Sequence, residues 1–159
     1  MSILEQLQAA AAARLGAEPE FAGVSVSVIR PRSEEEAVLI QIAIDNALAG
    51  VGGNGLAALV QMPTLSAPMP NAPGPVIDMA LTVRIIENPL VSGARRSAED
   101  LALATLSALH HYAPRLDDLT LLNPLFADGN CLEPVDGFAG KIVYDVTVKT
   151  KYDGLAGRN

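Results

Sequence analysis

Arg84, Glu87, His110, His111 and Cys131 are the side chains of this sequence whose types could do chemistry in a small site. Paired carboxylates could serve as general acid and base, and Asp78 and Glu87 share one apolar run. Their odd separation puts them on opposite faces of a strand, so they do not form such a pair. His110 and His111 are adjacent, and Asp117 and Asp118 follow closely enough to suggest a metal site. Neighbouring residues on a helix point about 100° apart, however, and do not easily grip one ion. The expected reading is a solvated helix end, where a cationic histidine suits the helix dipole. Cys131 is the sole cysteine and has no nucleophile context around it. It excludes an intrachain disulfide and a multi-cysteine zinc cage, and it reads as a small buried filler.

Two further segments invite a ligand and then lose it. Gly50-Val51-Gly52-Gly53-Asn54-Gly55 is rich in glycine like a phosphate loop. That loop needs a strand before it, a helix after it and a Lys-Ser/Thr pair. Here the order is helix, glycines, apolar run, with no lysine, so a turn is expected. Arg95-Arg96 precede a helix cap and could meet an anion or an acidic partner surface, or simply be a solvated loop. No cofactor and no metal is expected.

The elements that would position these groups are legible from patterning. Ile77, Met79, Leu81, Val83 and Ile85 alternate with Asp78, Ala80, Thr82 and Arg84, which predicts a long strand with one core face. Glu87-Asn88-Pro89 ends it, because proline donates no ladder bond. Lys141 to Thr150 repeats the pattern, with Ile142, Tyr144, Val146 and Val148 on one side. Between them, Ser97 to Tyr112 reads as a helix with a serine cap and early acids, stopped by Pro114, and Leu101, Ala108 and Leu109 should cover the strands. Ser2 to Leu15 predicts a helix and Val24 to Ile29 a strand. Ser33-Glu34-Glu35-Glu36 resembles a capping box and predicts a helix to about Ala49. The β-branched Val38, Ile40, Ile42 and Ile44 also fit a strand. Leu56 to Met62 predicts a third strand, and Cys131 to Val135 a short apolar piece among turns. The fold class is α/β in the α+β sense: a mostly antiparallel sheet packed by one or two helices.

Pro63 to Pro75 has no period and much proline, which predicts a long, stiff, extended connection. Two readings are open: a tolerated insertion, or an arm that projects to a partner through Leu65 and Met69. The chain is read as one domain, 1–159, with this arm at 63–75 and a flexible tail at 154–159.

Composition narrows function. The chain has 159 residues, is 50% hydrophobic, lacks tryptophan and carries a formal charge of −7. A basic footprint for nucleic acid is missing, and few aromatics are available for base stacking. The opening residues lack the basic region of a secretory signal, and no apolar run suits a bilayer span, so an intracellular origin without membrane association is expected.

Val83 to Val91 (V-R-I-I-E-N-P-L-V), the helix Ser97 to Tyr112 and K-I-V-Y-D-V-T-V-K-T at Lys141 to Thr150 resemble the tail-terminator, or tail-completion, proteins of tailed bacteriophages. The similarity spans Val76 to Thr150, about half the chain, and the order of elements agrees. The resemblance implies an α/β domain that assembles into a ring, commonly a hexamer. Such a ring caps the tail tube, ends its polymerisation and offers a docking surface to the head–tail connector protein, while DNA passes the lumen without specific binding. It implies no catalytic residues, a place in the virion tail or neck, and synthesis in the host cytoplasm. Leu65, Met69, Arg95 and Arg96 are the candidate interface residues. A head–tail connector or baseplate component is the alternative within that class. A small-molecule enzyme using Arg84, Glu87, His110 or His111 is the alternative outside it.

Overall fold

The computed structural model describes residues 2–51, 54–66, 77–93, 96–116 and 123–152. Helix α1 (Ile3–Gly16) opens with a reciprocal cap: Ser2 Oγ accepts from the Glu5 N–H, and the Glu5 carboxylate accepts from the Ser2 N–H. Leu7, Ala11 and Leu15, at four-residue spacing, form its buried stripe. The helix runs one residue past the predicted Leu15, to Gly16, with Ala17 as the cap. A 3-10 turn (Pro19–Phe21) then drops Phe21 into the core.

The Ser2 N–H is the main reason the Glu5 carboxyl lies below its ordinary range, with Arg32 adding to it. A carboxyl whose folded-state pKa is depressed stabilises above its unfolded value, and loses that contribution as pH falls through the folded value. Glu5→Gln should therefore flatten a small part of the acid limb, from the ordinary carboxylate range downward. Urea unfolding followed across that window checks it; a limb unchanged by Glu5→Gln would mean that the cap is not felt.

Strand β1 (Ser25–Val28) leads through helix α2 (Glu34–Leu48) to strand β2 (Leu56–Val60), which pairs with β1 in parallel. The helix reading of Val38 to Ile44 holds. Ser33 caps α2 by accepting from the Glu36 N–H, but Glu36 returns to the Arg32 N–H, so the box is only half closed. Every residue of β2 is buried, as suits a strand covered on both faces. Strand β3 (Thr64–Ser66) follows, then the long β4 (Ile77–Glu87), the single-turn α3 (Pro89–Ser92), α4 (Ala98–Leu109), β5 (Leu132–Pro134) and β6 (Ile142–Tyr152).

The sheet runs β1-β2-β4-β6-β5, with β3 beside β4 beyond the end of β2, and every pairing except β1 with β2 is antiparallel. This is an α+β fold with a mixed, mostly antiparallel six-strand sheet. Two cores form. On one face, residues of α1 and α4 pack with Leu56, Ala58, Val60, Leu81, Val83 and Ile85. On the other, Ile44 and Leu48 of α2 pack with Ala57, Leu59, Ile86 and Val143. Three helices thus pack on the sheet, one more than the upper expectation, because α2 crosses over to the opposite face.

Three local expectations change. Helix α4 stops at Leu109, before Pro114: His110 is its cap, and His111 takes a left-handed φ of 66° so that its N–H reaches the Leu125 carbonyl. Ile142 lies on the predicted face but is 40% exposed, since it sits opposite Glu87 at the end of the strand. The start of the proline-rich arm is not a projecting segment. Thr64, Leu65 and Ser66 pair with Ala80, Met79 and Asp78. Residues 67–76, with Met69, and residues 153–159 of the tail lie outside the described part.

Candidate functional site

Arg84, Glu87 and His110, three of the groups that could have done chemistry, are engaged in holding the fold. Arg84 spans to β6 and grips Asp145 with two bonds, Nε to Oδ1 at 2.9 Å and Nη2 to Oδ2 at 3.0 Å. This pairing raises the pKa of the guanidinium further, so it is a fixed cation. Phe138 lies under it, with the guanidinium carbon 5.3 Å from the ring centre.

Glu87 is 5% exposed, and both its oxygens are used. Oε2 accepts from Ser92 Oγ at 2.6 Å, and Oε1 accepts from the Ala98 N–H, the first of α4, at 2.8 Å. A carboxylate there satisfies an orphan donor and complements the helix dipole. Asn88 does as much beside it. Its Oδ1 accepts from the Leu90 N–H, capping α3, its Nδ2 donates to the Leu48 carbonyl at the end of α2, and its N–H donates to the Gly55 carbonyl. Pro89 opens α3, where its missing N–H costs nothing. Gly55 has a φ of 78°, and a Cβ there would stand 2.8 Å from the Ser92 nitrogen. Glu-Asn-Pro is therefore a knot that ties α2, α3 and α4 to the end of β4.

The histidine rings do meet, 3.8 Å apart at 49°, because the chain has left the helix at that point. His110 Nδ1 accepts from the Ala127 N–H, so it serves the following segment rather than the helix dipole. Asp117 and Asp118 lie outside the described residues, among which no group of three or more His, Cys, Asp or Glu could hold a metal ion. Cys131 is half-buried, not fully buried as expected, and its carbonyl accepts from the Thr147 N–H. Arg96 donates to the Glu20 carbonyl, fastening the loop before α4 to the 3-10 turn; Arg95 is outside the described residues. Leu65 is 54% exposed in β3. Of the four candidate interface residues, Leu65 and Arg96 are thus placed, and Met69, like Arg95, lies outside the described residues.

What is gathered is an apolar ridge that the sequence reading did not single out. Helix α2 buries only Ile44, Ala47 and Leu48. Val38 (57% exposed), Leu39 (65%) and Ile42 (49%) stand on its outer side, and Glu34 and Glu35 border them. On a 3.6-residue period, positions 38, 39 and 42 share the face opposite 40, 44 and 47. A cleft of about 470 Å³ runs along another flank of the helix, lined by Ile29, Ile40, Leu59, Gln61, Met62 and Arg84. The signal was present in the sequence: a helix apolar on nearly every side belongs in a covered position.

No helix among the described residues is long and apolar enough to cross a membrane. No protein-family model matches the chain, and no curated protein sequence does.

Proposed function

We propose that this chain is a structural virion protein of the tail-terminator kind. It forms a ring, a hexamer in this reading, that closes a phage tail tube, ends its polymerisation and seats the head–tail connector. The observation that carries the reading is the ridge of α2, whose Val38, Leu39 and Ile42 are left in water with an acidic border. Each apolar side chain so exposed gains on being covered, about 1.5–3 kcal/mol for full burial, and the border restricts what can cover it. A second support is the use of Arg84, Glu87 and His110 as structural bonds, which gives them a task without a substrate. The charge of −7 suits a lumen that DNA passes without sticking. In this reading the protein works in the virion tail or neck, after synthesis in the host cytoplasm, and needs no cofactor.

The test is solution mass by sedimentation, followed by addition of the chain to polymerising tail-tube subunits. The wild-type chain should give a closed oligomer of hexamer mass and arrest tube growth. Leu39→Asp with Ile42→Asp should leave the thermal midpoint within a few degrees, as surface changes do, yet abolish the oligomer. A chain that stays monomeric at every concentration and leaves tube growth untouched would sink the reading.

A further inference from the structure

We infer that the acid-bordered ridge of α2 on one copy seats on the lysine-bearing half of the sheet on a second copy. The inference rests on the ring reading and names the contact that would build it. The face of the sheet that receives α2 carries Asp78, Ala80, Thr82, Arg84 and Ile86 from β4 and, in register, Lys151, Lys149, Thr147, Asp145 and Val143 from β6. Helix α2 packs at the Ile86 and Val143 end. In the middle, the two threonine hydroxyls bond across the strands at 3.1 Å. At the far end Lys149 and Lys151 are exposed, around a hollow of about 240 Å³ lined also by Ser66, Asp78, Ala80 and Phe126.

The two ends complement each other. Glu34 and Glu35 form no ion pair among the described residues, and neither does Lys151. Lys149 pairs with Asp128 at 3.1 Å but keeps half of its side chain in water. The acids and the lysines form no pair with one another among the described residues, and a second copy can bring them together. A convex apolar helix with acids at its start fits a hollow with lysines at its rim in both shape and charge. Because ridge and hollow are different patches, successive copies can join head to tail, and the contact closes into a ring where the rotation permits.

Charge reversal tests it on the intact chain. E34K with E35K, and separately K149E with K151E, should each lower the oligomer association constant by about tenfold or more at low salt, since reversed interface charges repel. All four changes together should restore it. All six positions involved, the ridge residues Val38 and Leu39 included, are exposed. E34K with E35K sets cations at the start of α2 and K149E faces Asp128, so each reversal should lower the thermal midpoint by a few degrees while leaving the chain folded at the temperature of the assay. Wild-type rings whose mass neither reversal alters would overturn the inference and leave the ring reading standing. Reversals that weaken a dimer and a fourfold variant that restores it would support the contact and overturn the ring. A wild-type chain monomeric at all concentrations would overturn both.

Discussion

Leu81→Ala should lower the unfolding free energy by about 2–5 kcal/mol, the range for emptying a core leucine site. Leu81 is 1% exposed at the centre of β4, opposite Val148, within the core that α1 and α4 cover. Strand β6 and a helix layer hold that site, while on the other side β2 and β3 end above and below its level, so partial collapse into the space is available and the middle of the range is expected. The informative control is one residue away. Thr82 points to the other face, where its hydroxyl meets that of Thr147 in a half-buried position. Thr82→Ala removes one partly exposed hydrogen bond and should cost about 0.5–1.5 kcal/mol. Urea denaturation measures both, and the slope with denaturant should stay unchanged, marking a stability effect rather than a change in the unfolded chain. Equal costs at the two positions would mean that the two faces of β4 are not differently buried, and the two-core architecture would fall.

That contrast was legible because strand alternation has a period of two and needs no knowledge of partners. Ile77 to Ile85 and the buried Val146 and Val148 follow from it, and the serine caps at Ser2, Ser33 and Ser97 mark helix starts from local chemistry alone. The parts that were not legible depend on distant partners. Strand β3 has three residues, too few for a period, and exists because β4 offers an edge beyond the end of β2. Which stripe of α2 turns inward could not be read from a helix that is apolar on most sides. The choice of Ile40, Ile44, Ala47 and Leu48 over Val38, Leu39 and Ile42 is made by Ala57, Leu59, Ile86 and Val143 beneath. The ridge therefore became visible as a candidate surface only once its buried side was known. Arg96 read as a free cation because its acceptor, the Glu20 carbonyl, lies 76 residues away.

Glu87→Ala should cost about 2–4 kcal/mol, although no apolar contact motivates it. The change leaves the Ala98 N–H and the Ser92 hydroxyl without their charged acceptor inside a buried knot, and an unmade buried hydrogen bond costs about 1–3 kcal/mol. Loss of a carboxylate from a helix start adds to this. Glu87→Gln separates the two contributions. Its amide oxygen can still accept from the Ala98 N–H and its nitrogen can donate to Ser92 Oγ, so the charge is lost and the serine bond is reversed, and about 1–2 kcal/mol is expected. Equilibrium unfolding gives both values; Glu87→Ala within about 0.5 kcal/mol of wild type would place it among ordinary surface changes and deny the knot its role. The folded fraction of each variant should keep the oligomer mass of the wild type, because Glu87 faces inward and touches neither the α2 ridge nor the lysine end of β6. Stability and assembly should thus come apart: Glu87 moves the first alone, and the charges of the ridge move chiefly the second. A Glu87→Gln protein that is fully folded yet unable to assemble would instead place the Glu-Asn-Pro turn in the interface.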